Sequence, residues 1–346
     1  MKRLGNLYNK ILDKDNLELA IHNACKRKSS YASVKIIKAD MVNHINKVHR
    51  ILEEGTYKVA PYKQKKIYEP KERLISILPL FPDRVIQHAI MNVLEDYWDS
   101  IMIHDSYACR KGKGQHQGSI KCMKHCRNYK YVLKCDISKF YPCLDHSILK
   151  ETLERKIKDY KLLELLGSII DSYGDGKGVP IGSYLSQWLG NLYMTSLDMY
   201  IKHELKCKAY IRYCDDFVIF SNSKEEIKNV QSKIKKYCGD VLNLKMSKCE
   251  YFPSTQGVDF LGYRHFPDGK ILLRKRTAKR FSKKIQELEG LLKRNAIDLE
   301  SARSKVASMS GWLKHANTYN FTKKLKLNKL KGKIDERLSK NIKYKK

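Results

Sequence analysis

The spacing of apolar residues changes period several times along the chain, and each change predicts an element. Residues 1–60 carry apolar positions at helical spacing in a basic background; "SVKIIKADMVNHINKVHRILEEGTYK" predicts a helix that stops near Gly55. Pro61 opens an extended stretch, "YKQKKIYEPKERLISIL", whose alternation predicts a hairpin turning at Glu69-Pro70-Lys71-Glu72. The helical period returns in "DRVIQHAIMNVLEDYWDSIM", with Asp83 as expected N-cap and Val85, Ile86, Ala89, Ile90, Val93 and Leu94 as its apolar face. "SYACRKGKGQHQG" reads as a basic, glycine-rich loop without the G-x4-G-K-[ST] spacing of a P-loop. "KYVLKCDI" predicts a strand ending at Asp136, and two helices are expected within 145–172. The loop "YGDGKGVPIG" leads to one long predicted helix, "SYLSQWLGNLYMTSLDMYIKHEL". "AYIRYCDDFVIF" is β-branched and aromatic on both sides of two acids, so it predicts a strand pair with Asp215-Asp216 in the turn. A helix at 224–238 follows, then "GVDFLGYRHFPDGKIL", a hairpin turning at Pro267-Asp268-Gly269. Strands interspersed irregularly with helices predict an α+β sheet domain.

Length and charge sharpen this picture. The 346 residues suit two or three packed subdomains. Lys and Arg total 69 against 37 acids, a net charge of +32, which points to a polyanionic partner such as nucleic acid. The excess concentrates in residues 271–346, with 23 Lys or Arg against 6 acids and helical periodicity in "AKRFSKKIQELEGLLKRN". No secretory signal follows Met1-Lys2-Arg3, and no apolar run reaches the length of a membrane span, so no membrane partner is expected. Ten scattered cysteines read as reduced thiols of a cytoplasmic protein. "HQGSIKCMKHC" places His116, Cys122, His125 and Cys126 close together, but C-x3-C without a second pair is a sparse zinc pattern, and ordinary packed or exposed thiols are expected there instead.

The acids carry the candidate chemistry. Asp suits turns, so an Asp-Asp pair can be turn chemistry alone. Here the pair sits between aromatic strands, and a second strand ends at Asp136. Carboxylates that converge repel one another unless divalent cations lie between them. Hard oxygen ligands select Mg2+, which shares substrate phosphates, and two such ions clamp an in-line phosphoryl displacement.

Tyr213-Cys214-Asp215-Asp216 resembles the Y-x-D-D box of reverse transcriptases, and the resemblance runs in family order over roughly residues 60–315. It implies a right-hand polymerase: an N-terminal helical extension (1–60), fingers and palm (61–270, the fingers about 61–130 and 150–183) and a basic helical thumb (271–346). "ERLISILPLFPDRVIQ" resembles a fingers motif, which implies that Arg73 meets the incoming triphosphate and Arg84 the template; "SYACRKGKGQH" implies template contacts for Arg110 and Lys111. "LKCDISKFYPCLDH" resembles the first palm motif, implying Asp136 and Ile137 as metal ligands with Asp215 and Asp216, and Tyr141 as the gate against a ribose 2′-hydroxyl. "GVPIGSYLSQWLGNLYMTSLD" implies nucleotide contacts for Ile181, Gly182 and Gln187; "LNLKMSKCEYF" places Lys248 near the departing pyrophosphate; "GVDFLGY" resembles the primer grip, with Leu261, Gly262 and Tyr263, and Tyr213 adjoins the primer. The implied cofactors are two Mg2+ ions, with Mn2+ as a substitute. The implied partners are dNTPs, a template RNA and its cDNA hybrid. No RNase H or endonuclease domain is expected after the thumb.

Most relatives carry Gln-Gly where this chain has Ile181-Gly182. The pattern from Ile181 to Gln187, and "GWLKHANTYN", resemble reverse transcriptases of diversity-generating retroelements. That implies a bacterial or phage-encoded enzyme copying a template-repeat RNA with errors at adenines, beside a small basic helical accessory protein. A retron or phage-defence enzyme and an inert RNA-binding scaffold are the alternatives.

Overall fold

The computed structural model describes residues 3–68 and 72–343, so the Glu69-Pro70-Lys71 part of the expected first turn lies outside the described residues. Four helices open the chain: α1 (Tyr8–Leu12), α2 (Lys14–Cys25), α3 (Ala32–Ala39) and α4 (Met41–Glu53). Asp13 and Asp40 start two of them by accepting from the backbone N–H of Asp15 and Asn43. β1 (Lys63–Ile67) and β2 (Arg73–Ile77) pair antiparallel, Lys63 opposite Ile77 and Ile67 opposite Arg73. A wide helical turn over Leu80–Arg84 leads into α5 (Val85–Ile101). Asp83 is not the cap expected of it. Its carboxylate is fully buried and accepts from the Tyr57 hydroxyl (2.9 Å) and the Ala60 amide (3.0 Å), tying the segment before β1 to the helix.

The glycine-rich loop ends sooner than expected, because α6 (Gln115–Asn128) already begins at Gln115. Its buried stripe is Gly118, Ser119, Cys122, Met123 and Cys126, too small and polar to show as an apolar period. Then come β3 (Tyr131–Ile137), α7 (Phe140–Cys143), α8 (His146–Glu154) and α9 (Tyr160–Asp171). The expected long helix is three pieces, α10 (Tyr184–Tyr193), α11 (Thr195–Met199) and a wide turn over Tyr200–Glu204. β4 (Tyr210–Tyr213), β5 (Asp216–Ser221), α12 (Lys224–Asp240) and β6 (Met246–Pro253) follow, and the sheet order is β4-β5-β3-β6. The second expected hairpin is a three-stranded meander, β7 (Val258–Phe260), β8 (Tyr263–His265) and β9 (Ile271–Leu273), because Leu261 and Gly262 form an additional tight turn. Helices α13 (Lys275–Lys293), α14 (Leu299–Lys314), α15 (Tyr319–Lys324) and α16 (Leu327–Lys343) complete the described chain.

The chain divides into two compact units. The first comprises Met1–Lys111, Cys135–Lys208 and Val230–Cys249. Within it α2 packs on both α4 and α5, burying Leu17, Ile21, Val48, Leu52, Ile86, Ile90 and Leu94. At about 1.5–3 kcal/mol per buried aliphatic side chain, this layer gives the unit a core of its own. The second unit comprises Gly112–Lys134, Ala209–Asn229 and Glu250–Lys346. There α6 lies on β4, β7 and β8. The helical part has a separate core at heptad-like spacing, Phe281, Ile285, Leu288 and Leu292 meeting Val306, Met309, Leu313, Leu327, Leu330 and Ile334. No described helix is long and apolar enough to cross a membrane.

Candidate active site

In the second unit the paired strands set the acids apart. The register runs from Tyr210 opposite Ile219 to Tyr213 opposite Asp216. The turn is therefore Cys214 and Asp215, and Asp216 is the first residue of β5 rather than part of the turn. Cys214 takes a left-handed conformation, φ 55°, uncommon for a residue with a side chain. Fully buried Arg212 braces it, donating from Nη1 to the Cys214 carbonyl at 3.1 Å. Tyr213, Cys214, Asp215 and Asp216 are half-buried, whereas Ile211, Phe217, Val218 and Ile219 are buried and anchor the hairpin. The apolar run thus holds two acids at a solvent-reachable tip. Behind them, Lys134 of β3 brings Nζ to 4.0 Å from Asp216 Oδ1; its side chain is only 11% exposed.

In the first unit half-buried Asp136 is the penultimate residue of β3, before buried Ile137. Ser247 Oγ donates to the Asp136 carboxylate and lies 3.1 Å from its carbonyl oxygen, and the Ser138 amide donates to the Lys245 carbonyl at 2.8 Å. Lys248, one residue beyond Ser247, is exposed on β6. Tyr141 follows a left-handed Lys139 (φ 46°) and sits edge-on to Phe140, with its carbonyl accepting from the Val179 amide at 3.0 Å. Gly190 makes room for both rings: a Cβ there would lie 3.0 Å from Phe140 Cε1 and 3.2 Å from Tyr141 Cε1.

A cleft of about 320 Å3 in the same unit gathers Arg84, Gly182 and Gln187 of the expected nucleotide and template residues. The Ile181 carbonyl accepts from the Ser76 amide at 2.9 Å, pinning the loop to β2. Gly182 is required there: its φ is +108°, and a Cβ would lie 2.5 Å from Ile75 Cγ2. Gln187 is exposed and accepts from the Cys109 thiol. Two lining residues of α5, Gln87 and His88, escaped the sequence reading. Buried Gln87 accepts from Ser183 Oγ at 3.0 Å, and its only sequence signal is an amide on the apolar face of α5. His88 stacks on Tyr184, and burial together with the nearby Arg84 charge lowers its pKa to about 4, so it is neutral at pH 7. Arg73 is exposed at the start of β2 and does not line the cleft.

Two residues expected to make contacts have side chains turned into the fold. Arg110 turns inward with a side chain 6% exposed. Its guanidinium donates to the Asp99 carboxylate (2.6 and 3.3 Å) and to the carbonyls of Asp99, Ile103 and Ser106, spending all five N–H donors inside the unit. It braces the loop, whereas neighbouring Lys111 is exposed beside Glu95 and Asp96. Tyr263 of the expected primer grip is fully buried, its hydroxyl donating to the Trp312 carbonyl (3.1 Å) and bonding His116 Nε2 (3.0 Å). The grip residues present backbone instead: Leu261 is left-handed with its carbonyl accepting from Gln115 Nε2 at 2.7 Å, and Gly262 (φ +83°) approaches within 2.9 Å of the Trp312 ring as measured from a built Cβ.

The sparse zinc pattern resolves as packing. His116 is bonded to Tyr263, and burial holds the Cys126 thiol protonated, its pKa pushed up to about 11, with Cys122 shifted the same way. Among the described residues no group of three or more His, Cys, Asp or Glu side chains is placed to hold a metal. Asp136, Asp215 and Asp216 fit Mg2+ by donor chemistry, offering hard carboxylate oxygens from half-buried residues.

An acid pair at the tip of an aromatic hairpin in one unit, and an acid near a strand end with a glycine-shaped cleft in the other, are features shared with the polymerase class that includes reverse transcriptases. The chain belongs to the reverse transcriptase (RNA-dependent DNA polymerase) family, whose profile matches residues 62–265. It is 24% identical to the group II intron-encoded protein LtrA of Lactococcus lactis over 336 positions, covering 74% of this chain and 56% of that protein. Protein YkfC of Escherichia coli is 25% identical, covering 65% of this chain and 70% of its own length. This chain thus spans little more than half of the Lactococcus relative. Among solved structures, apo telomerase from Candida tropicalis aligns at a TM-score of 0.48 and 15% identity, over 80% of this chain and 62% of that one.

Proposed function

We propose that this protein is an RNA-directed DNA polymerase that copies template RNA into cDNA by metal-assisted nucleotidyl transfer. The observation that carries the reading is the aspartate hairpin, with Asp215 in the turn and Asp216 heading β5, inside a match to the family profile. Asp136, Asp215 and Asp216 would hold two Mg2+ ions. When bound, such ions favour the attacking 3′-oxygen and offset charge on the leaving pyrophosphate. The primer 3′-oxygen forms a bond to the α-phosphorus as the bond to pyrophosphate breaks. Exposed Arg73 and Lys248 would meet the triphosphate and the leaving group, and Tyr141 would exclude the ribose 2′-hydroxyl. Residues 1–60, 61–270 and 271–346 would serve as extension, fingers with palm, and thumb.

Within this class we favour the error-prone enzyme of a diversity-generating retroelement, working with a small basic accessory protein. Supporting this is the apolar Ile181 before the required Gly182, in a pattern from Ile181 to Gln187 that resembles those enzymes. Primer extension on a homopolymer RNA tests the activity; no product in Mg2+ or Mn2+ would leave the inert-scaffold alternative. Sequencing cDNA from a defined heteropolymer tests the type: errors concentrated at template adenines support it, and evenly spread errors favour the retron or phage-defence alternative.

A further inference from the structure

Lys134 is a buried cation that the proposed chemistry does not use. It is the fourth residue of β3, and its side chain is 11% exposed. A buried ammonium is retained where charge and hydrogen bonds replace its lost hydration. Two groups of the second unit do so. Nζ donates to the backbone carbonyl of Asp259, and it lies 4.0 Å from Asp216 Oδ1. The carbonyl is a fixed anchor. Asp259 pairs in register with Arg264, and its carboxylate accepts from Arg274 Nε at 2.6 Å, at the residue that caps α13. The ammonium is therefore held from one side and directs its charge at Asp216 from the other.

The separation matters. At 4.0 Å the ammonium attracts the carboxylate by charge without a short hydrogen bond. Buried Cys122 lies near both charges and stays a neutral thiol, raised by burial, so it adds no charge of its own between Lys134 and Asp216.

We propose that Lys134 is a positioning residue for Asp216: its fixed charge holds the carboxylate in one orientation against the like charge of Asp215. This rests on reading Asp216 as a metal-holding carboxylate. The two roles of the charge have opposite signs. It orders the carboxylate, which speeds turnover, and it repels a cation, which weakens metal binding. Removing it lowers turnover without weakening metal affinity, a combination that simple loss of structure does not produce.

The test uses the full chain with Lys134→Gln, which keeps a donor for the Asp259 carbonyl, and Lys134→Met, which keeps length and removes both charge and donor. Single-nucleotide incorporation gives kcat and KM, and electron paramagnetic resonance titration with Mn2+ alone gives metal affinity without substrate. The expected result is a fall in kcat of about 10-fold or more in both variants, with the dNTP KM within about 3-fold. Mn2+ affinity is equal or tighter, and melting temperature is nearly unchanged in the glutamine variant. Should the methionine variant lose its fold, the glutamine variant carries the test alone. Wild-type kcat in Lys134→Gln overturns the proposal, and so does a fall in kcat matched by weaker Mn2+ binding. Asp216→Ala run alongside separates the two readings: continued extension by that variant overturns the catalytic role of Asp216 itself.

Discussion

Cys214 reverses the chain with a single left-handed torsion, φ 55°, and that torsion places one acid in the turn and the next at the head of a strand. Asp215 is bounded by turn geometry and Asp216 by the β5 ladder, so the two carboxylates differ in what holds them. Tyr141 is fixed in a comparable way, by its carbonyl bond to Val179 and by the space that Gly190 leaves for its ring. If that ring is the ribose gate, Tyr141→Ala raises rNTP relative to dNTP incorporation by at least about 10-fold, the equivalent of about 1.4 kcal/mol. Parallel single-nucleotide incorporation assays check this, and an unchanged ratio removes the role. Ile181 offers neither a donor nor an acceptor, and its branched side chain is stiff. A glutamine there adds a hydrogen bond worth about 1 kcal/mol, so Ile181→Gln should lower misincorporation at template adenine about fivefold while sparing overall synthesis. Sequenced cDNA from one RNA reads this directly; equal adenine error rates move the source of infidelity elsewhere.

Glycines and buried polar groups do at the scale of elements what apolar periodicity cannot. Gly182 lets the 181–187 loop lie against β2, and alanine there meets Ile75 Cγ2 at 2.5 Å in an unfavourable φ. Gly182→Ala should destabilise the protein by about 2 kcal/mol or more, from left-handed strain plus overpacking, and denaturant unfolding measures it. The meander is held on α6 by a buried histidine chain. Ser119 Oγ lies 2.7 Å from both His265 and His315 Nε2, and His265 Nδ1 bonds the Val258 carbonyl at 3.0 Å. Burial lowers the His265 pKa to about 4, below its unfolded value. The unfolded chain then binds the proton more readily, so stability present above pH 6.5 is lost as pH falls toward 4. Melting curves at pH 7.5 and 5.5 should show this loss, reduced in His265→Gln. These features also mark what the sequence made legible. The apolar stripes of α5 and α13 and the β-branched run around Asp215 were plain, because large side chains recur at fixed period. Helix α6 was hidden since its buried face is Gly118, Ser119, Cys122 and Cys126. The inward course of Arg110 depends on how its loop folds back on Asp99, Ile103 and Ser106, and the burial of Tyr263 and Lys134 on partners distant in sequence; neither shows as a periodic pattern.

For the whole molecule, charge is the controlling quantity. With a net +32, and 23 Lys or Arg in residues 271–346, binding to single-stranded RNA should weaken steeply with salt. Each neutralised phosphate contributes about −0.7 to the slope of log K against log salt. Fluorescence anisotropy from 50 to 300 mM salt checks this; a flat response contradicts the electrostatic reading. Truncation before residue 271 should reduce the slope by several such units, since the densest cationic segment is removed. The central claim, that three aspartates of the matched family motifs serve one polymerase reaction, is tested most directly by single-turnover addition of one dNTP to a DNA primer on an RNA template. Wild type should extend in Mg2+, while Asp136→Ala, Asp215→Ala and Asp216→Ala each lose at least about 1,000-fold, about 4 kcal/mol, with RNA affinity and melting temperature preserved. Near-normal extension by any two of the three would contradict the account.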